Sequence, residues 1–192
     1  MRTNKITIRE AESRDAKVIA QVVAMAIGDT QALHAYCGED YYEVLTEVAV
    51  AEDTQYSWRN SLIAEVEGKT AGAIVGYNGA LLNKLRKGTL EIVRKHTGHT
   101  PDIPDETEAG EFYLDSIATL PSFRGMGIAS TLINALRDKA FAEGHKCIGL
   151  IVDMDNPQAE KLYTSLGFER VGTRLFFGHP MWHLQQFAKD KL

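Results

Sequence analysis

Arg124-Gly125-Met126-Gly127-Ile128-Ala129 is the segment of this chain best suited to hold a charged ligand. It follows an apolar run, Phe112 to Thr119, and opens directly into helical spacing. Ile128, Leu132, Leu136 and Ala140 share one face there, while Ser130, Asn134, Arg137 and Asp138 fall on others. The first turn of a helix carries N–H groups without intrahelical partners, and the summed peptide dipoles add partial positive charge, so an anion is favoured. Gly125 and Gly127 let the main chain approach a phosphate without Cβ interference, and the Arg124 guanidinium can meet phosphate oxygens with two donors. Gly125 through Ser130 therefore reads as a phosphate cradle.

Two other phosphate loops compete with this reading. A Walker loop requires Gly-Lys followed by Ser or Thr, which the segment lacks. The dinucleotide fingerprint comes closer: Gly125-x-Gly127-x-x-Ser130 nearly fits, and a second strand, Cys147 to Val152, ends at Asp153, where a ribose-binding acid could lie. Against it, the third glycine is Ser130, Leu120-Pro-Ser-Phe123 is long for a tight strand-to-helix turn, and only one strand–helix–strand unit is visible.

Downstream, Asn156-Pro157 starts a helix, with proline where its missing N–H costs nothing, and Gly167 is placed to stop it. Ala159, Leu162, Tyr163 and Leu166 make the inner stripe, so Tyr163 alone reads as a core aromatic and Asn156 as a helix cap. Together, Arg124-Gly-Met-Gly-Ile-Ala129 followed by Asn156-Pro-x-Ala-x-x-Leu-Tyr163-x-x-x-Gly167-Phe168 resembles the GNAT superfamily of N-acetyltransferases, most strongly over Glu111 to Arg174. The resemblance implies a mixed α/β (α+β) fold of the acyl-CoA N-acyltransferase type, with a central twisted, mixed, largely antiparallel sheet flanked by helices. It implies that Arg124 to Ser130 takes the diphosphate of acetyl-CoA, that Ile117, Ala118 and Thr119 pair through their backbone with the pantetheine arm, and that Asn156 and Tyr163 lie beside the thioester. Main-chain N–H groups near the acetyl carbonyl would then stabilise an oxyanion. Transfer would be direct, and no Ser–His–Asp or Cys–His arrangement argues for an acyl-enzyme.

The chemistry of such a transfer defines further roles. An alkylamine titrates at about 10.4 in lysine-like models, so a base or a water relay must remove a proton; Asp115 is the candidate. A thiol titrates at about 8.5, and the departing thiolate benefits from a donor, for which Tyr163 is the candidate acid. Asn156 would hold cofactor or main-chain polar groups besides capping its helix. The acceptor is a small-molecule amine or an amine of a protein or peptide, and a homodimer is compatible with the sequence. Two alternatives stand beside this reading: a catalytically idle CoA-binding sensor or interaction module, and a dinucleotide-dependent oxidoreductase.

Elements must position these groups. Ile6 and Ile8 alternate in a short strand, and Ser13 is placed to cap a helix with Ile19, Ala20, Val23 and Ile27 on one face. After Gly38, Tyr41, Leu45 and Val48 mark a second helix whose Glu39, Asp40, Glu43 and Glu47 read as a solvated face or as an acidic rim attracting a cationic amine. Ser61 to Val66 and Ala71 to Tyr77 form a hairpin through Glu67-Gly68-Lys69-Thr70. Strict alternation in Glu111 to Thr119 places Tyr113, Asp115, Ile117 and Thr119 on one side. Residues 78–110, with a helix from Leu81 to about His96 and a loop holding Pro101 and Pro104, read as an insertion, either folding over the acceptor side or forming a surface excursion.

Composition bounds the rest. With 192 residues, 44% hydrophobic and 24% charged, the chain suits a single domain over 1–192. A net charge of -5 without a basic run argues against a nucleic-acid partner. The start has no apolar secretory core and no stretch is long enough to span a bilayer, so a cytoplasmic protein without a membrane partner is expected. Cys37, in an expected loop, and Cys147, in an expected buried strand, suggest free thiols. His34, His96, His99, His145, His179 and His183 form no metal pattern, so no metal is expected and the histidines read as structural or solvated.

Overall fold

Strand β1 (Ile6–Glu10) pairs antiparallel with β2 (Ser61–Val66), which turns through Glu67 and Gly68 into β3 (Lys69–Asn78). β3 pairs antiparallel with β4 (Phe112–Thr119), and β4 runs parallel to β5 (Cys147–Asp153). β5 pairs antiparallel with β7 (His179–Phe187), and β7 with the edge strand β6 (Glu169–Phe176). The computed structural model describes residues 5–189, so residues 1–4, part of the start read for a secretory core, lie outside it. Its single 7-stranded sheet has the order β1-β2-β3-β4-β5-β7-β6, the mixed, largely antiparallel arrangement expected. No described helix is long and apolar enough to cross a membrane.

Helices α1 (Ala16–Ile27), α2 (Thr30–Cys37), α3 (Tyr41–Val50) and α4 (Leu82–Thr97) close one face around Ile19, Val23, Leu45, Val48 and Val93. On the other face, α5 (Ile128–Ala142) and α6 (Pro157–Ser165) cover a core that includes Ile128, Leu132, Leu136, Ala140, Tyr163 and Phe168. Both layers follow the apolar spacing of their helices.

Several local expectations are corrected. Ser13 does not cap α1; it lies in a short 3-10 turn, Ser13–Asp15, where the Asp15 carboxylate accepts from Glu12 N at 2.8 Å and from Arg9 at 2.7 and 2.9 Å. The Arg9 guanidinium holds the Asp15 carboxyl below the usual carboxylate range against the opposing effect of burial. Gly28 ends α1 at φ 73°, and Asp29 caps a further helix, α2, by accepting from Ala32 N at 2.8 Å. Cys37 is therefore the buried end of α2, and burial pushes its thiol up to about 12. Cys37 and Cys147 are both free.

The largest correction concerns β4. Val75 pairs with Ser116 and Gly76 with Leu114, so Asp115 is an extra residue in a β-bulge. The bulge reverses the phase of the strand. Tyr113, Ser116 and Ala118 lie opposite Tyr77, Val75 and Ala73 on the α1 side, whereas Ile117 lies opposite Ile74 on the α5 side. Ile117 and Asp115 thus do not share the face that simple alternation assigns them.

The junction of β4 and β5 is tied by Glu111. Its carboxylate, 2% exposed, accepts from His183 Nε2 at 2.9 Å, Gln185 Nε2 at 2.7 Å and Thr107 Oγ1 at 2.6 Å. Burial alone would raise its pKa, but these three bonds win and hold it below the ordinary value. A Cβ on Gly149 would overlap this carboxylate. Gly149→Ala is expected to cost about 2–4 kcal/mol of unfolding free energy, from overpacking and broken charge-assisted bonds, as read by urea denaturation.

Candidate active site

The glycine loop leaves β4 through Leu120, whose N–H donates to Ala71 O at 2.8 Å, and passes a 3-10 turn, Pro121–Phe123. Phe123 and Met126 pack against the α5-side core and anchor the loop from below. Gly125 and Gly127 have φ of 77° and 79°, and beyond their immediate chain neighbours nothing lies within 4 Å of where a Cβ would stand. Gly127 is the N-cap of α5 and offers no side-chain cap; the first helical bond runs from Thr131 N to Gly127 O at 3.1 Å. No N–H from Gly125 to Ser130 has an acceptor among the described residues. Arg124 is exposed and makes no ion pair within this set. The result is a row of unpaired donors with a free guanidinium beside it, a surface suited to an anion.

Next to it the sheet opens. β4 and β5 are in register only at Phe112 with Ile148 and Tyr113 with Gly149. Beyond Tyr113, β4 remains paired with β3 on one side, while its other edge, past Ile117, Ala118 and Thr119, carries no partner strand among the described residues. Backbone groups along that edge are free to bind an extended ligand.

Asn156 and Tyr163 stand at the start and on the inner face of α6. The Asn156 side-chain oxygen accepts from Ala159 N at 3.1 Å, the capping role the sequence allows. Tyr163 is 8% exposed, lies edge-on to Phe168 at 5.8 Å, and its hydroxyl has no hydrogen-bond partner among the described residues. Burial pushes that hydroxyl up to about 12.

Asp115 lies on the bulge, keeping some exposed surface although densely surrounded. Its carboxylate accepts from Tyr77 Oη at 2.7 Å and from Ser116 Oγ at 2.8 Å. Burial raises its pKa against the lowering effects of these hydroxyls and of Arg86. Tyr163 belongs to the α5-side layer, whereas Tyr77 and Ser116, which hold Asp115, lie on the α1 side, so the two candidates flank the opening from opposite faces.

Nothing in the sequence marks Glu106 as a functional residue. The loop after α4 brings it beside Tyr77, Gln55 and Arg86. The only linear signal was an acid in the loop preceding β4; its neighbours come from distant segments. His183, read as structural or solvated, is structural: it is buried against Glu111.

Comparison with known proteins places this geometry. A model of the acetyltransferase (GNAT) family matches residues 30–168. A solved acetyltransferase is 34% identical, with a TM-score of 0.81, over 95% of this chain and 100% of that one. An N-acetyltransferase from Staphylococcus aureus Mu50 is 29% identical, with a TM-score of 0.80, over 93% and 99%. An uncharacterized protein of Mycobacterium leprae (strain TN) is 36% identical over 115 residues, 60% of this chain, and the match spans only 25% of that relative's length. An aminoglycoside N-acetyltransferase solved in complex with CoA shares the fold, at a TM-score of 0.60 and 18% identity over 91% of this chain and 94% of that one.

Proposed function

Because the chain belongs to the acetyltransferase (GNAT) family, we propose that it moves an acetyl group directly from acetyl-CoA to a primary amine of a small molecule or peptide. The observation that carries this reading is the run of unpaired N–H groups from Gly125 to Ser130, lying beside the unpartnered edge of β4. The residues fit the donor: Arg124, Gly125, Met126, Gly127, Ile128, Ala129 and Ser130 would hold its diphosphate, and the backbone of Ile117, Ala118 and Thr119 its extended arm. The CoA bound in the aminoglycoside N-acetyltransferase of the same fold supports this choice. Acetyl-CoA supplies an activated acyl carbon and a thiolate leaving group.

The chain's own groups do the rest. Asp115 accepts a proton from the incoming ammonium, leaving a neutral nitrogen able to attack. Main-chain N–H groups on the free edge of β4 favour the developing oxyanion. Tyr163, whose hydroxyl burial pushes up to about 12, is a weaker acid than a thiol at about 8.5, so it hydrogen-bonds the departing sulfur rather than surrendering its proton. Asn156 orients the start of α6 by capping it, and its free side-chain N–H₂ remains available to the donor. Residues 78–110 form an insertion within one domain that supplies the acceptor side of the opening. The buried free thiols fit a reducing cytoplasm.

Calorimetry with acetyl-CoA tests the premise. Arg124→Ala is expected to weaken binding about ten- to hundredfold, the worth of a charge-assisted phosphate contact. Wild type should not bind NAD(P)H, and should release thiol with at least one member of a pooled amine panel. Failure to bind acetyl-CoA, or equal binding by both proteins, would overturn the assignment.

A further inference from the structure

The proposed function leaves one buried cluster unused, and the inference drawn from it rests on that reading. Glu106, Gln55 and Tyr77 are 5%, 2% and 2% exposed. Arg86 Nη2 donates to Glu106 Oε2 at 2.5 Å, and Arg86 Nη1 to Asp105 Oδ1 at 2.5 Å. Gln55 Nε2 donates to Glu106 Oε1 at 3.0 Å. The Tyr77 hydroxyl lies 2.7 Å from Asp115 Oδ2 and 3.4 Å from Glu106 Oε1. A hydroxyl carries one hydrogen, and the shorter distance assigns it to Asp115, so Glu106 Oε1 receives nothing from Tyr77. The buried Gln55 Oε1, on the same amide that reaches Glu106 and Tyr77, has no partner among the described residues. The Glu106–Tyr77 contact therefore holds no hydrogen, while Tyr77 Oη accepts from Gln55 Nε2 at 3.2 Å. One added proton fills that contact, because a protonated Glu106 can donate to the Tyr77 oxygen while Tyr77 still donates to Asp115; Gln55 Oε1 is unaffected.

We propose that Glu106 and Asp115 act as one proton-holding pair joined by the Tyr77 hydroxyl. Asp115 takes the proton of the acceptor ammonium, and Glu106 is a positioning residue that sets how strongly that proton is held. The balance is complete. The ammonium gives one proton to the pair, its nitrogen bonds the acyl carbon as the carbon–sulfur bond breaks, a second proton reaches sulfur or solvent, and the third stays on the amide nitrogen. The pair returns its proton to water.

The surroundings agree with this role. Burial pushes Glu106 up to about 7, with the Asp115 charge adding and Arg86 opposing. Tyr113, Tyr56 and Tyr36 also face the pair, and burial keeps all three as neutral phenols. Ser116 donates to Asp115, and Glu111 lies close enough to contribute at Tyr113. Arg86 is thus the cation facing two carboxylates, and Asp105 shares it.

The test uses opposite signs. The Asp115 anion helps hold Glu106 up, so Asp115→Asn should move the Glu106 midpoint down by about one pH unit; Tyr77→Phe removes a donor to the Asp115 anion and should move the Asp115 midpoint up by about as much. Carbon-13 NMR titration of labelled carboxyls in the full chain, without acetyl-CoA, reads both. Thiol release with spermidine and a lysine peptide as probe amines should show the acid limb of kcat/KM moving up in Tyr77→Phe, about tenfold in rate on that limb, with acetyl-CoA affinity unchanged. A Glu106 midpoint that stays put in Asp115→Asn, or an Asp115 midpoint that stays put or falls in Tyr77→Phe, overturns the pairing. Should Asp115→Asn fail to fold, wild type decides: Glu106 and Asp115 signals that each follow both midpoints support the pair, and independent single-step titrations overturn it. Wild type that binds acetyl-CoA but turns over no amine overturns acetyl transfer instead, since the carboxyl titrations need no acceptor.

Discussion

Replacing Gly125 and Gly127 together by alanine is expected to weaken acetyl-CoA binding at least about a hundredfold, or about 2.7 kcal/mol. Both residues sit at positive φ, where an alanine costs about 1–2 kcal/mol. Because nothing beyond the immediate chain neighbours stands within 4 Å of either Cβ position, the rest of the fold offers no clash. The loop would relieve its strain by changing conformation, and the N–H groups from Gly125 to Ser130 would no longer converge. Gly68 provides the control. It has a φ of 76°, equally open surroundings and a place in the β2–β3 turn, so Gly68→Ala carries the same strain away from the site. Isothermal calorimetry should separate them: a loss of affinity in the double variant, none in Gly68→Ala, and native circular dichroism in both. Affinity within about threefold of wild type in the double variant would remove these amides from donor binding.

Tyr163→Phe is expected to lower kcat about ten- to hundredfold with little change in acetyl-CoA affinity. A hydrogen bond to a charged acceptor is worth about 1.5–3 kcal/mol, and the sulfur gains its charge only as it departs, so the bond favours the transition state over bound thioester. The hydroxyl has no partner within the described residues, so its removal orphans nothing, and Phe fills nearly the same space against Phe168. Thermal stability should hold. The pH–rate profile should keep its shape, because burial keeps this phenol protonated up to about 12. Single-turnover kinetics check the result: an unchanged chemical step would exclude Tyr163 as the donor to sulfur.

The glycine loop and the α6 motif were legible because their determinants are local. A glycine at positive φ ahead of an apolar helical stripe, or Asn-Pro followed by that stripe and a glycine stop, specifies its conformation within one or two turns. The same locality misled at Ser13. Asp15 accepts from the Glu12 N–H there and also bonds Arg9 on the neighbouring strand, and the resulting turn leaves Ser13 inside it. The break between α1 and α2 has its signal in Gly28-Asp29, a helix stop followed by an N-cap.

By itself the sequence determined the order of elements, the helix starts that can hold an anion, and the motif pair that marks the family, since each depends on residues close together along the chain. Only the tertiary structure decided which groups meet at the opening. A single extra residue at Asp115 reverses the phase of β4, and Glu106 reaches Tyr77 and Gln55 across 29 and 51 positions. Strand register and long-range packing are set by the whole core at once, and no short segment carries that information.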